Sequence, residues 1–257
     1  MWRTARIVIL ATILFFVAVS AWLDQQRTTS WEYTVRVGAF PISADGSKAS
    51  GEYLAALGEE QLRPVSEFIA REAHRYGVAA DEPIEIKLYP AMSSAPPALA
   101  ADAGIFTRLL WSLRLRVYRS QAVAKISRSR PKIALFLLYH DPALAPALPH
   151  SMGLQRGLTG VVHLFATRAQ DDQNAIVIAH ELLHTFGATD KYALGNDAPL
   201  FPDGYAEPYR NPRFPQRYAE IMAGRVPLAE DRAQMPDDLS QTLVGTATAR
   251  EIGWIRH

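Results

Sequence analysis

Apolar and polar positions along this chain predict a mixed order of strands and helices. Trp31–Phe40 (WEYTVRVGAF) alternates with a period of two, as a half-buried strand does. Pro41–Gly51 is polar and reads as a turn region. Across Tyr53–Tyr76, Leu57, Leu62, Val65, Phe68 and Ile69 return at helical spacing and predict one helix. Pro83–Tyr89 (PIEIKLY) alternates strictly and predicts a second strand. Ala91–Ala101 (AMSSAPPALAA) is Pro-rich and reads as a loop, the best internal linker. A helix is expected over Ile105–Val123. Ile133–Tyr139 (IALFLLY) is apolar throughout, as a central strand covered on both faces is. Gly160–Ala166 (GVVHLFA) is a similar run. A helix apolar on nearly every face follows, through Ala175–Ala179, Leu182, Leu183 and Phe186. Asp171, Asp172 or Asn174 is placed to cap its start. Thr246–Trp254 (TATAREIGW) reads as a closing helix, and no repeat is visible.

The apolar helix carries the chemistry. Its continuation, His180-Glu181-Leu182-Leu183-His184-Thr185-Phe186-Gly187-Ala188-Thr189-Asp190, has the form HExxHxxGxxD. Positions i and i+4 share a helix face, so His180 and His184 present two imidazoles to one point, as zinc requires. Glu181 stands beside that face, where a carboxylate can take a proton from a metal-bound water. Gly187 suits a left-handed helix end. A sharp turn there would swing Asp190 back as a third ligand. Two histidines and a glutamate inside a buried helix carry a desolvation cost that metal binding would offset.

The motif resembles that of the metzincin clan of zinc metallopeptidases, and its Asp form that of snapalysin-type and immune-inhibitor-A-type secreted peptidases. The similarity covers residues 160–224. It implies a zincin-like α+β fold in which a mixed sheet packs on the active-site helix. It also implies a methionine turn beneath the metal, for which Met222 in Tyr218–Gly224 (YAEIMAG) is the candidate. Finally, it implies an edge strand that binds extended peptide by strand addition, with Val161–Ala166 or a neighbour in that role. The activity implied is zinc-dependent hydrolysis of a peptide or protein, with Glu181 as general base. The alternative is a catalytically idle zinc-binding module that presents a Pro-rich loop to a partner.

That loop, Ala193–Gln216, contains Pro199, Pro202, Pro208, Pro212 and Pro215, and is expected to wall the cleft. It also holds Glu207, a rival third ligand at the distance used by gluzincin peptidases; Glu220 is a second rival. Tyr192, Tyr205 and Tyr218 are each candidates to donate a hydrogen bond to an oxyanion. His74, His140, His150, His163 and His257 have no ligand spacing.

Composition narrows the setting. The 257 residues are 49% hydrophobic, enough for a sizeable core. The net charge of +1 gives no field toward nucleic acid, and no nucleic-acid partner is expected. Without cysteine, a zinc site must use His and carboxylate. Residues 1–24 form a distinct segment: Arg3 and Arg6 precede the uncharged run Ile7–Leu23, and Asp24 ends it. This reads as a membrane anchor or signal segment ahead of one domain over residues 25–257. Val19-Ser20-Ala21 offers a cleavage site, while Trp22 and Leu23 prolong the apolar run and favour a retained anchor. Either way the domain is placed outside the cytoplasm, on a single-pass anchor in the cell membrane or released as a secreted or periplasmic protein. Residues 103–140 carry eight basic and no acidic residues. This run reads as a solvated helix face, with a basic amphipathic helix on anionic lipid as the alternative.

Overall fold

The computed structural model describes residues 29–99, 103–127, 129–155 and 158–255, together with Arg6 and Thr12. Apart from Thr12, the Ile7–Leu23 run, with the cleavage site at Ala21, lies outside the described residues. No helix among the described residues is long and apolar enough to cross a membrane.

The fold is mixed α/β. Five strands form one sheet: β1 (Val35–Ser43), β2 (Ile84–Leu88), β3 (Ile133–His140), β4 (Met152–Leu154) and β5 (Thr159–Phe165), in the order β2-β1-β3-β5-β4. Four strands run parallel, and β4 pairs antiparallel to β5 with Gly153 opposite Gly160. The helices are α1 (Lys48–Ala55), α2 (Arg63–Arg75), α3 (Ile105–Ala124), α4 (Asp171–Phe186) and α5 (Thr246–Glu251).

Strand β3 shows why its sequence is apolar at every position. Ile133, Leu135, Leu137 and Tyr139 enter a core shared with α1, α2, α4 and α5. Ala134, Phe136 and Leu138 enter a second core under Trp111 and Leu115 of α3. Alternate side chains point to opposite faces, so a strand covered on both sides has no polar register. Among the described helices, the sheet therefore has the motif helix on one face and α3 on the other.

Several sequence expectations shift. β1 runs to Ser43, through the predicted turn, because Pro41 and Ile42 continue the ladder to β3 beyond the end of β2. The helix expected over Tyr53–Tyr76 is two. Ser47 caps α1 early by accepting from Ser50 N–H, and Gly58 then breaks the chain. Gln61 accepts from Gly58 N–H, and Pro64 opens α2 in its first turn. β5 is interior, with β3 and β4 on its two sides, so the sheet edge beside the motif helix is β4 and Val161–Ala166 is not an edge. Asp171, Asp172 and Asn174 lie inside α4 and do not cap it; Gln170 holds that position without a side-chain bond. Asn174 instead exchanges two hydrogen bonds with the Phe165 backbone, at 2.9 and 3.1 Å, and ties α4 to the end of β5.

Candidate metal centre

α4 ends where Gly187 adopts φ +112°, a conformation glycine takes without the penalty a Cβ would impose. The turn brings Asp190 back over the helix. Asp190 Oδ1 lies 3.2 Å from His180 Nε2 and 3.1 Å from His184 Nε2, and the two Nε2 atoms are 3.1 Å apart. Donor atoms of a tetrahedral zinc with bonds of about 2.0–2.1 Å would stand about 3.3–3.4 Å apart, so the triangle is close to the right size.

The other ring nitrogens are already engaged. His180 Nδ1 faces the Ile221 carbonyl at 3.0 Å and His184 Nδ1 faces the Ala188 carbonyl at 2.8 Å. A ring that donates from Nδ1 leaves Nε2 as the lone-pair nitrogen, the usual arrangement around a metal-ligating histidine. Burial opposes charge on His180, but the Asp190 hydrogen bond and the Glu181 charge outweigh it and raise its pKa. The same imidazoles hold Asp190 below the usual carboxylate range, against the upward push of burial.

Glu181 belongs to the cluster without matching Asp190's position. Its ligand atom lies within 4.8 Å of those of His180 and His184, a looser fit than the 3.1–3.2 Å of Asp190. Its Oε2 is buried and has no hydrogen-bond partner in the protein. Burial raises its pKa, partly offset by the two histidines and a hydrogen bond from Gly153 N–H. A buried carboxylate oxygen with no partner, beside two imidazole nitrogens and an aspartate, fits a bound divalent cation and a water next to it.

The segment holding Met222 reaches the site through backbone carbonyls. Residues 220–224 make a tight turn, with Ala223 and Gly224 N–H donating to the Glu220 carbonyl. Met222 is fully buried and its carbonyl accepts from Lys191 N–H, one residue past Asp190. Its neighbour Ile221 supplies the carbonyl opposite His180. Glu220 is no ligand here. It is fully buried and accepts from Met222, Ala223 and Gly245 N–H and from the Thr248 hydroxyl, so it shapes the turn. Glu207 is also elsewhere, ion-paired with Arg217 and Arg210.

Among the three tyrosines, Tyr192 stands at the site. Its ring centroid is 6.4 Å from that of His180, and it stands close enough to Asp190 to feel its charge. Burial and the nearby Asp190 and Glu181 charges push its pKa up to about 12, so it remains a proton donor. Tyr205 packs against Phe201 and Phe214, and Tyr218 lies under Arg217.

One brace was not visible in the sequence. Glu251 on α5 accepts from Thr189 N–H, the Thr189 hydroxyl and Lys191 Nζ, at 2.8–2.9 Å. It thereby clamps both neighbours of Asp190 across about sixty residues of chain, a separation that carries no local pattern.

A cavity of about 380 Å³ opens beside His184, lined by Gly153–Gln155 of the β4 edge, Gly187–Thr189, and Ser112, Leu115 and Arg116 of α3. The Pro-rich loop does not line it. The loop pairs with Lys191, whose carbonyl accepts from Leu200 N–H, and α3 supplies the far wall of this cavity. No model of a known protein family matches the chain, and no curated protein matches it either.

Proposed function

We propose that this chain is a zinc-dependent, metzincin-like metallopeptidase with a zincin-like domain that acts outside the cytoplasm. The observation that carries the reading is the triangle of His180 Nε2, His184 Nε2 and Asp190 Oδ1, with the unpartnered Glu181 oxygen beside it. Zinc, when held by those three residues, supplies a Lewis acid that acidifies water and polarises a carbonyl. Glu181 accepts a proton from the attacking water. The water oxygen adds to the scissile carbonyl carbon, the C–N bond breaks, and Glu181 returns the proton to the leaving amine. Tyr192, nearest of the three tyrosines to the histidine pair, would donate to the oxygen that gains charge.

The fold supports a peptide as substrate. β4 is the sheet edge beside α4, and its Gly153 and Leu154 line the cavity. An extended peptide laid along β4 would complete the ladder next to Glu181, with little dependence on its sequence. The turn that Glu220 holds carries the Ile221 carbonyl that orients His180, and Met222 within it is the candidate methionine of a metzincin-like turn. The apolar run Ile7–Leu23 behind Arg3 and Arg6 supports placement of the domain outside the cytoplasm, in the manner of an anchored or exported enzyme.

Glu181→Gln separates catalysis from metal binding. Glutamine keeps the shape but cannot accept the proton. Zinc content and thermal stability are expected to stay near wild type, while hydrolysis of a peptide substrate falls by about two orders of magnitude or more. A Gln variant that cleaves as fast as wild type would remove Glu181 from the mechanism. A wild-type protein that holds zinc but cleaves none of a broad peptide library would favour the idle zinc-binding module instead.

A further inference from the structure

α3 is covered on one side and bare on the other. Trp111, Leu115 and Ala122 are buried against the sheet. Phe106, Leu109, Leu110, Leu113 and Val117 are exposed, by 84, 61, 48, 52 and 57%. At 3.6 residues per turn these five fall within an arc of about 100°, opposite the buried side. The helix therefore has the packed side and the solvated face that its sequence suggested, but the centre of that face is apolar rather than charged.

The charges around the stripe say what covers it. Arg114 lies on one flank and Arg116 on the other, both exposed. The sequence of this helix contains no Asp or Glu to offset those two arginines. A protein partner or a second copy of α3 would have to neutralise that charge, and two copies would set like charges face to face. An apolar stripe with an arginine on either flank matches the interface of an anionic bilayer, where the stripe enters the acyl boundary and the two guanidinium groups reach the headgroups.

We infer that α3 is a membrane-docking helix that lays Phe106, Leu109, Leu110, Leu113 and Val117 into an anionic lipid surface. This contact is independent of the peptidase reading and additional to the N-terminal segment. It has a consequence for the site. Ser112, Leu115 and Arg116 of the same helix wall the cavity beside His184. A docked α3 therefore holds that cavity within about one helix diameter, ~10 Å, of the headgroups. The accessible substrates would be membrane-anchored or membrane-proximal chains.

The chain has no cysteine, so one introduced cysteine gives one label. The full chain carrying Leu113→Cys or, as a control on the exposed Pro-rich loop, Tyr209→Cys is labelled with an environment-sensitive fluorophore. It is then reconstituted in vesicles of phosphatidylcholine alone or with phosphatidylglycerol. With phosphatidylglycerol, a quencher on the lipid tails should quench the label at position 113 and leave the control untouched, while aqueous iodide does the reverse. Arg114→Gln should lower the docked-to-undocked ratio about fivefold, the scale of one basic residue at an anionic surface. Three results would overturn the inference. The label at 113 could be as open to iodide as the control. It could be shielded from both quenchers, which would mean that protein covers the stripe, whether the N-terminal segment or a second copy. Or lipid quenching could be equal without phosphatidylglycerol, which would remove the role of charge.

Discussion

Asp190, Glu207 and Glu220 are all carboxylates downstream of the histidine pair, and their surroundings give them different tasks. Only Asp190 has an oxygen within 3.2 Å of both Nε2 atoms. Glu220 is saturated by four donors, and Glu207 is engaged by arginines. Spacing alone left all three open, because a ligand's place depends on where a turn aims it. The turn itself was legible, since Gly187 is the residue that a left-handed helix end favours. The clamp by Glu251 was not. These roles predict an order of zinc affinities. Asp190→Ala, which removes a ligand, should weaken binding most. Glu251→Ala, which only frees Thr189 and Lys191 on either side of it, should cost about 10–100-fold, the usual scale for an outer positioning group. Glu207→Ala should leave affinity near wild type. Competition titration with a chromogenic chelator measures all three. If Glu207→Ala strips the metal while Asp190→Ala retains it, the ligand set drawn here is wrong.

The elements that the sequence predicted best are those whose pattern has a single physical cause. β3, β5 and α4 were read to within a few residues because burial on both faces forces them apolar. β4 escaped notice. Met152, Gly153 and Leu154 are too few to alternate, and glycine is a poor strand former. The structure explains why glycine stands there. A Cβ on Gly153 would fall 2.3 Å from the Glu181 carbonyl oxygen and 2.5 Å from His184 Cβ. The edge strand can lie this close to α4 only without a side chain, and the closeness is what lets Gly153 N–H reach the Glu181 carboxylate. Gly153→Ala should push β4 off the helix at a cost of about 1–3 kcal/mol, typical of overpacking. In a chain of this length that lowers Tm by roughly 2–4 °C per kcal/mol. Hydrolysis should fall further than folding accounts for, because Glu181 loses a contact and the peptide its edge. Equal activity per folded molecule in calorimetry and peptide assay would show that β4 has no part in catalysis.

Toward the C-terminal ends of β3 and β5 lies a pair of histidines that belongs to neither the metal centre nor the two apolar cores. His140 ends β3 and His163 lies on β5, with His140 Nε2 facing His163 Nδ1 at 2.9 Å. One ring must be neutral and accept for that bond to form, and two charged rings would repel. Burial lowers both pKa values, and the neighbouring His140 pushes His163 further, down to about 4. Asp45, which draws His140 upward, is the facing charge that opposes the shift. The sign follows from linkage. A histidine whose folded pKa lies below its free value of 6.5 favours the folded state while neutral. That contribution is complete above pH 6.5 and is lost as pH falls from there toward about 4, where the folded ring also protonates. Zinc bound to His180 and His184 would be released by acid in an overlapping range. The test is therefore a comparison: metal-free wild type against metal-free His163→Gln, by thermal unfolding across that window. Wild type should lose stability on acidification more steeply than the variant, and the two curves should run parallel above pH 6.5. Parallel curves throughout would show that the paired imidazoles contribute nothing to the acid response, which would then belong to the carboxylates elsewhere in the molecule.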